Sequence, residues 1–307
     1  MSRYLVTGAA GFVGSHLAAA LAAAGHEVAG VDSFNDYYDP AEKERNAAAP
    51  GTPVQRLDLA RETPDLDGVD GVFHLAGQPG VRSFGSSFPL YLERNVLASQ
   101  RLFEAAAAAG VRVVFASSSS LYGDAERYPT PEDTTPLPRS PYAITKLACE
   151  HLAHAYAAGF GLDVVVVRYF TVYGPRQRPD MFMRRVCDRL VDGGTFELYG
   201  DGEQSRSFTY VGDAVEATVA AMGAASGALY NVGGGEEATV NEAIALLERL
   251  SGRRLDVRRA EAAKGDVPRT KADVSRISAE LGWAPTTSLE DGLAAMWAWA
   301  SGTVAAA

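Results

Sequence analysis

Short apolar runs alternate with longer Ala- and Leu-rich stretches through the first half of the chain. Tyr4–Thr7, Glu27–Val31, Val54–Leu57, Gly71–Leu75, Val111–Ala116 and Val164–Arg168 read as strands. Between them Gly14–Ala24, Tyr91–Ala109 and Tyr142–Ala158 carry helical patterns. Gly25 stands where a helix C-cap belongs. Apolar strands alternating with helices predict an α/β fold with a parallel, doubly wound sheet.

After Phe170 the pattern changes. Glycine, proline and arginine crowd Tyr173–Pro179, a loop signal. Met181–Val191 and Asp213–Met222 then read as helices, and Phe196–Tyr199 as a strand running into Gly200-Asp201-Gly202. Residues 241–251 and 289–300 predict two further helices, with Pro268, Pro285 and the Lys264–Thr270 loop as interruptions. The expected organisation is a first domain over 1–171, to which segments near 207–232 return. A smaller, irregular α/β lobe over 172–300 and a frayed tail at 301–307 complete it. There is no internal repeat.

A chain of 307 residues exceeds what one small core organises, which agrees with two intimately packed units. The net charge of −10 argues against nucleic acid as a partner. A local basic pocket is still available from Arg176, Arg178, Arg184, Arg185 and Arg206. Cys149 and Cys187 have neither framework nor metal spacing and suit a reducing cytoplasm. The apolar strand at Tyr4-Leu5-Val6 leaves no room for a signal peptide, and no stretch is long and clean enough to span a bilayer. Cytoplasmic location is therefore expected. His151 and His154 could share a helical face, but no third ligand stands nearby, so no metal is expected.

Gly8-Ala9-Ala10-Gly11-Phe12-Val13-Gly14 follows the first strand and opens the first helix. Small residues let backbone approach a pyrophosphate, and the helix N-terminus offers unpaired N–H groups and a positive dipole end. Asp32 ends the second strand, where a carboxylate can accept from both ribose hydroxyls. A 2′-phosphate there would meet like charge, so NAD is expected rather than NADP. Asp58, after the third strand, could accept from the adenine amino group, and His74-Leu75-Ala76-Gly77 should pass along the cofactor.

Tyr142-Ala143-Ile144-Thr145-Lys146 places a phenol and an ammonium four residues apart on one helical face. An ammonium beside a phenol stabilises the phenolate and makes it a usable acid/base. Alone the spacing is common surface decoration. Here it lies downstream of the glycine turn and of four consecutive serines, Ser117–Ser120.

With TGxxGxxG, HLAG, ASSSSLYG and YxxxK in this order, the chain resembles the extended short-chain dehydrogenase/reductases that act on nucleotide sugars. The likeness continues through Arg168–Pro175 and Arg206–Asp213 and spans nearly the whole length. It implies a Rossmann-type domain with tightly held NAD, a smaller nucleotide-sugar-binding lobe, and a homodimer built on the helices near 91–109 and 142–158. It implies Tyr142, Lys146 and Ser118 as the catalytic set. Asn35, Leu59, Leu75, Ala76, Gly77, Asn95 and Tyr169 would join Gly8, Gly11, Phe12, Val13, Gly14, Asp32 and Asp58 around the cofactor.

Dehydrating and decarboxylating relatives carry an acidic residue just before the Val/Leu-Tyr-Gly, and dehydratases an Asp before that. Here Ser120 and Ser119 stand there, which favours an epimerase. More narrowly, Asp32–Pro40, Gly80-Val81-Arg82-Ser83, the serine run and Thr171–Met181 are similar to UDP-glucuronate 4-epimerases. That likeness implies substrate contacts from Arg82. It gives the uronate carboxylate Arg178 as a charged fork, with Thr171, Ser119 and Ser120 as neutral donors, while Ser118 holds the reacting oxygen. Arg206 is expected on the diphosphate and Phe196 and Tyr199 on uracil. Many relatives have Arg-Pro-Gly-Asp where this chain has Ala263-Lys264-Gly265-Asp266, so Lys264 or Arg269 would have to compensate. A UDP-glucose or UDP-N-acetylhexosamine 4-epimerase is the alternative, in which Arg178 would face a neutral sugar without an ion-pair partner. A UDP-glucuronate decarboxylase and a non-catalytic NAD-binding protein stand further off.

Overall fold

The computed structural model describes residues 1–48, 52–80, 85–261 and 267–303. Strands β1 (Arg3–Thr7), β2 (Glu27–Asp32), β3 (Val54–Arg56), β4 (Gly71–His74), β5 (Arg112–Ser118) and β6 (Val164–Tyr169) fall where the apolar runs predict them. Those of the second half are β7 (Thr171–Tyr173), β8 (Phe196–Tyr199), β9 (Ser205–Tyr210), β10 (Leu229–Val232), β11 (Glu237–Thr239), β12 (Val257–Ala260) and β13 (Arg269–Thr270). The helices are α1 (Phe12–Ala23), α2 (Pro40–Ala47), α3 (Phe88–Tyr91), α4 (Ala98–Ala109), α5 (Pro141–Phe160), α6 (Phe182–Asp192), α7 (Val211–Ala221), α8 (Val240–Ser251), α9 (Ser275–Leu281) and α10 (Leu289–Ala300).

The main sheet has seven strands in the order β10-β6-β5-β4-β1-β2-β3, and every pairing is parallel. The doubly wound parallel sheet is therefore as expected. On one face Phe12, Leu17 and Leu21 of α1 pack with Ala214, Val215 and Ala217 of α7. On the other, Leu102 and Phe103 of α4 pack with Cys149 and Ala153 of α5. Both faces are covered, which is why the central strands are apolar on successive residues. β10 escaped the sequence reading. Only four residues long, it lies between Gly227 and the Gly233–Gly235 run, and it becomes a strand by pairing with β6.

Two other elements depart from the sequence pattern. α2 is too polar to show an apolar stripe. Its start is fixed by Asp39, whose Oδ1 accepts from Ala41 N at 2.9 Å, and by Pro40 in the first turn. The expected continuous helix over Tyr91–Ala109 is broken by a π-helical segment, Leu92–Leu97. Asn95 sits inside that segment, 1% exposed. Its Oδ1 accepts from Gln78 N at 2.6 Å, and its Nδ2 donates to Gln78 O and Thr145 Oγ1 at 3.1 and 3.0 Å. The wide turn ties the end of β4 to α5, a use typical of π-bulges near functional sites.

Outside the main sheet β9 pairs in parallel with β7 and β13 and antiparallel with β11. β8 pairs in parallel with β12. Met183, Val186, Leu190, Leu247, Leu293 and Met296 of α6, α8 and α10 form a further apolar core. A buried polar chain ties the ends of β5 and β6 to α5, β10 and the backbone at Thr130 and Asp273. Arg168 on β6 and Glu150 on α5, 5% and 9% exposed, pair with Nη2 to Oε2 at 2.7 Å and Nε to Oε1 at 3.0 Å. Ser117 donates to Glu150 Oε1 at 2.5 Å. Arg168 Nη1 donates to Tyr122 Oη at 2.7 Å, and Tyr122 donates to Asn231 Oδ1 at 2.8 Å. Asn231 Nδ2 reaches Thr130 O and Asp273 O.

Removing one member of a buried pair strands the other charge. Arg168→Met should destabilise the fold by about 3–5 kcal/mol. Urea unfolding of this variant, and of Arg168→Met combined with Glu150→Gln, measures it. The double variant should recover part of the loss, and additive losses would mean that Glu150 is satisfied without Arg168.

Candidate active site

One cavity lies at the carboxyl ends of β1, β2, β4 and β5. Gly8, Gly11, Phe12, Val13, Gly14, Asp32, Asn35, Asp58, Leu59, Leu75, Ala76, Gly77, Tyr142, Lys146, Tyr169 and Arg178 all line it. The glycine turn is built for close approach. Gly8 has φ +71°, and a Cβ there would stand 2.9 Å from Ala76 N. A Cβ on Gly14 would stand 2.1 Å from Gly8 O, so α1 can pack this near the turn only without a side chain. Gly11 caps α1 with no side-chain bond, leaving the first N–H groups of the helix to a ligand. A cradle of this kind fits a pyrophosphate.

Asp32 is 8% exposed. Its oxygens accept from Phe34 N at 2.8 Å and Ala10 N at 3.2 Å. Burial raises its pKa above the usual carboxylate value, with the Phe34 amide and the Lys43 charge working against that rise. The turn beyond it holds Phe34 at φ +47°, an uncommon conformation for a bulky residue. Arg56 lies over the Phe34 ring at 4.5 Å. Lys43, also in the lining, donates to Asn35 O and Oδ1 at 2.8 and 2.9 Å.

His74 sits beneath the opposite wall. Its Nδ1 lies 2.7 Å from Thr7 Oγ1 and its Nε2 lies 2.9 Å from Ser99 Oγ. Thr7 Oγ1 also accepts from Ala76 N at 3.1 Å. Burial, helped by the Lys146 charge, lowers the His74 pKa to about 3, so the ring is a neutral strut. Asn95, expected on the cofactor, lies behind this wall and acts through Gln78 and Thr145 instead.

Tyr142 and Lys146 occupy the first turns of α5. Ser140 caps the helix by accepting from Ala143 N at 3.2 Å, and Pro141 opens it. Lys146 is 5% exposed. Its Nζ donates to Ala116 O at 2.8 Å and lies 4.9 Å from the Phe115 ring centre. Ser118 ends β5, and its Oγ accepts from Ser120 N at 3.2 Å to start a 3₁₀ turn, Ser119–Tyr122. Of the serine run Ser117 lines the cavity, whereas Ser118, Ser119 and Ser120, and Thr171 at the start of β7, are not in its lining.

Arg178 departs from its expectation. It is not an open fork. Nε donates to Asp180 Oδ1 at 2.9 Å and Nη2 to Asp180 Oδ2 at 3.1 Å, and Tyr37 Oη donates to the same Oδ2 at 3.2 Å. A neutral sugar would therefore not leave Arg178 without an ion-pair partner, because the partner is Asp180. The pair, two residues apart across Pro179, gave no sequence signal beyond the acid's nearness. Ser33, Tyr37, Tyr38, Leu57, Pro79 and Arg94 also line the cavity unanticipated. The two tyrosines lie in the stretch after Asp32, whose aromatic residues the sequence left without roles.

The expected uracil and diphosphate contacts fare less well. Phe196 is 2% exposed in the core formed with α6, α8 and α10, edge-on to Phe182, so it is a packing residue. Tyr199 donates to Glu197 Oε2 at 3.0 Å. Arg206 donates to Ser205 O and Val267 O, both at 2.7 Å, and so holds the chain leading to β13. Arg269 is forked onto Glu237 at 2.6 and 2.8 Å. These arginines meet backbone or acid where a phosphate was expected. Arg82 and Lys264 lie outside the described residues.

Residues 4–233 match the model of the NAD dependent epimerase/dehydratase family. The chain is 41% identical to a protein of Bacillus subtilis named as an uncharacterized UDP-glucose epimerase, over 95% of each. It is 35% identical to a UDP-glucuronate 4-epimerase of Thermodesulfobacterium geofontis, over 95% of this chain and 94% of that one. The crystal structure of the UDP-glucuronic acid 4-epimerase from Bacillus cereus, in complex with UDP-glucuronic acid and NAD, superposes with a TM-score of 0.92. It is 37% identical and covers 98% of this chain and 100% of its own.

Two outcomes follow from this geometry. Gly14→Ala pushes a methyl into Gly8 O and should abolish NAD retention. Wild type should release NAD on denaturation without any having been added, and equal release from the variant would contradict the close packing. The second concerns pH. His16, whose Nε2 lies 2.9 Å from Pro175 O, has its pKa lowered to about 4, chiefly by burial. Between about pH 4 and 6.5 the unfolded chain binds a proton here that the folded chain refuses, so stability falls as pH falls. His16→Gln should lessen that slope by about 1.4 kcal/mol per pH unit, read from urea midpoints at pH 6 and 5. Equal slopes would mean that His16 protonates in place.

Proposed function

The chain belongs to the NAD dependent epimerase/dehydratase family, and on that premise we propose that it inverts C4 of UDP-glucuronate to give UDP-galacturonate. The observation that carries this reading is one cavity lined by the glycine cradle, Asp32, the Tyr142–Lys146 pair and Arg178. The glycine cradle and Asp32 would hold NAD, which would supply the hydride acceptor and donor needed to invert C4. Tyr142 takes the C4 hydroxyl proton as C4 is oxidised and gives it back on reduction. Lys146, oriented by Ala116 O, supports the phenolate charge. Ser118 bonds the reacting oxygen. Between the two halves the 4-keto sugar turns about its diphosphate linkage.

A 4-keto uronate is a β-keto acid and loses carbon dioxide when its carboxylate aligns with the carbonyl π system. Donors that pin the carboxylate prevent this. Arg178, Thr171, Ser119 and Ser120 are proposed for that task. Serines where decarboxylating and dehydrating relatives carry acids favour epimerisation. One observation favours a neutral hexose as second reading: Asp180 already balances Arg178. A homodimer is supported by exposed Leu92, Leu97 and Ile144 along the π segment and α5. Among the described residues no helix is long and apolar enough to cross a membrane. We place the protein in the cytoplasm, a reading supported by two free, buried cysteines.

Incubation with UDP-glucuronate and, separately, UDP-glucose, followed by chromatography, tests the reading. UDP-galacturonate should form with little UDP-pentose, and exclusive conversion of UDP-glucose would overturn it. Tyr142→Phe should lower turnover at least about a hundredfold with NAD still bound. Near-normal turnover would assign the proton to another group.

A further inference from the structure

A guanidinium offers two bidentate edges to carboxylates, one through Nε and Nη2 and one through Nη1 and Nη2. Asp180 takes the first of these, at 2.9 and 3.1 Å. Its Oδ2 is held from a second side by Tyr37 Oη at 3.2 Å. Tyr37 comes from the segment that follows Asp32, so the carboxylate is clamped between the cofactor-side segment and the loop leading into α6. Pro179 stiffens the link between acid and base. The Arg178 side chain is 21% exposed, lines the cavity with Tyr142 and Tyr37, and lies within electrostatic reach of both.

We propose that Asp180 is a positioning residue that sets sugar specificity: it fixes the Arg178 plane, turns the second edge toward the C5 substituent, and cancels the cation's charge. The proposal rests on the reading above that Arg178 meets that substituent. Without Asp180, Arg178 would be a largely buried, unopposed cation. It would grip a uronate carboxylate hard and reject a hydroxymethyl group, whose binding leaves the charge stranded. With Asp180 the pair is neutral. A hydroxymethyl is then tolerated, and a uronate is oriented by the free edge while its grip is eased by the neighbouring carboxylate. An eased grip also suits a reaction whose intermediate must turn over in place.

The test is calorimetric binding of UDP-glucuronate and of UDP-glucose to the full-length, NAD-loaded protein, in a Tyr142→Phe background to prevent turnover. Asp180→Asn keeps the shape and removes the charge. It should raise the preference for glucuronate over glucose about tenfold or more, the scale of a charged hydrogen bond in a pocket. Tyr37→Phe should shift the ratio the same way by less, and Asp180→Glu should restore it. Structural damage would weaken both sugars alike and leave the ratio in place. An unchanged or reduced ratio in Asp180→Asn, while Arg178→Ala still selectively weakens glucuronate, overturns the role of Asp180 alone. Equal weakening of both sugars by Arg178→Ala overturns the premise, and the proposal with it.

Discussion

The placement of α5 against the ends of β5 and β6 is the constraint on which the site depends. Two buried charged side chains one turn apart do the anchoring. Lys146 is fixed by the carbonyl of Ala116 on β5, and Glu150 by the fork of Arg168 on β6 and the hydroxyl of Ser117. Neither charge could stay buried without its partner. The helix is thereby held in rotation as well as in position, and Tyr142, four residues before Lys146, faces the cavity as a consequence. Cys149 and Ala153, on the same helix, seal the apolar side against α4.

A second requirement is closeness. The glycine turn, the strand β4 wall and the π segment meet with almost no room for side chains. A Cβ on Gly77 would stand 2.9 Å from Asn95 Oδ1, and one on Gly8 would stand 2.9 Å from Ala76 N. The neutral His74 and the buried Asn95 carry this wall by hydrogen bonds rather than by bulk. A site that surrounds a charged, extended cofactor with backbone needs donors behind the backbone, and these two side chains supply them.

Charge in the cavity is balanced by contacts across the two halves of the molecule. Tyr37 reaches Asp180, and Arg184 on α6 pairs with Glu42 on α2 at 3.2 Å while bonding Asp188 at 2.7 Å. Arg184 also lies 4.7 Å over the Trp299 ring. The segment that follows Asp32 is thus bonded both to itself, through Lys43 and Asn35, and to the loop that carries Arg178. The segment after Asp32 and the segment carrying Arg178 and Arg184 are joined by side-chain contacts. An arginine that the sequence offers as an open fork is part of a settled network in the fold.

The sequence by itself determined the alternation of strands and helices, the glycine turn, Asp32, and the Tyr142–Lys146 pair on one helical face. Each of these is local: a run of apolar residues, a spacing of four, or small residues between a strand and a helix. Polar β9, β11 and β12, short β10 and β13, and the π segment became legible only in three dimensions, because pairing and packing form them against weak local preference. The same division holds in the site. Phe196 reads as an aromatic ligand platform and is core. Arg269 reads as a phosphate contact and is forked onto Glu237. Arg178 reads as unopposed and is paired with Asp180. A sequence shows which charges exist. Which of them neutralise one another is a matter of distances of a few ångströms between segments far apart in the chain, and only the tertiary structure sets those distances.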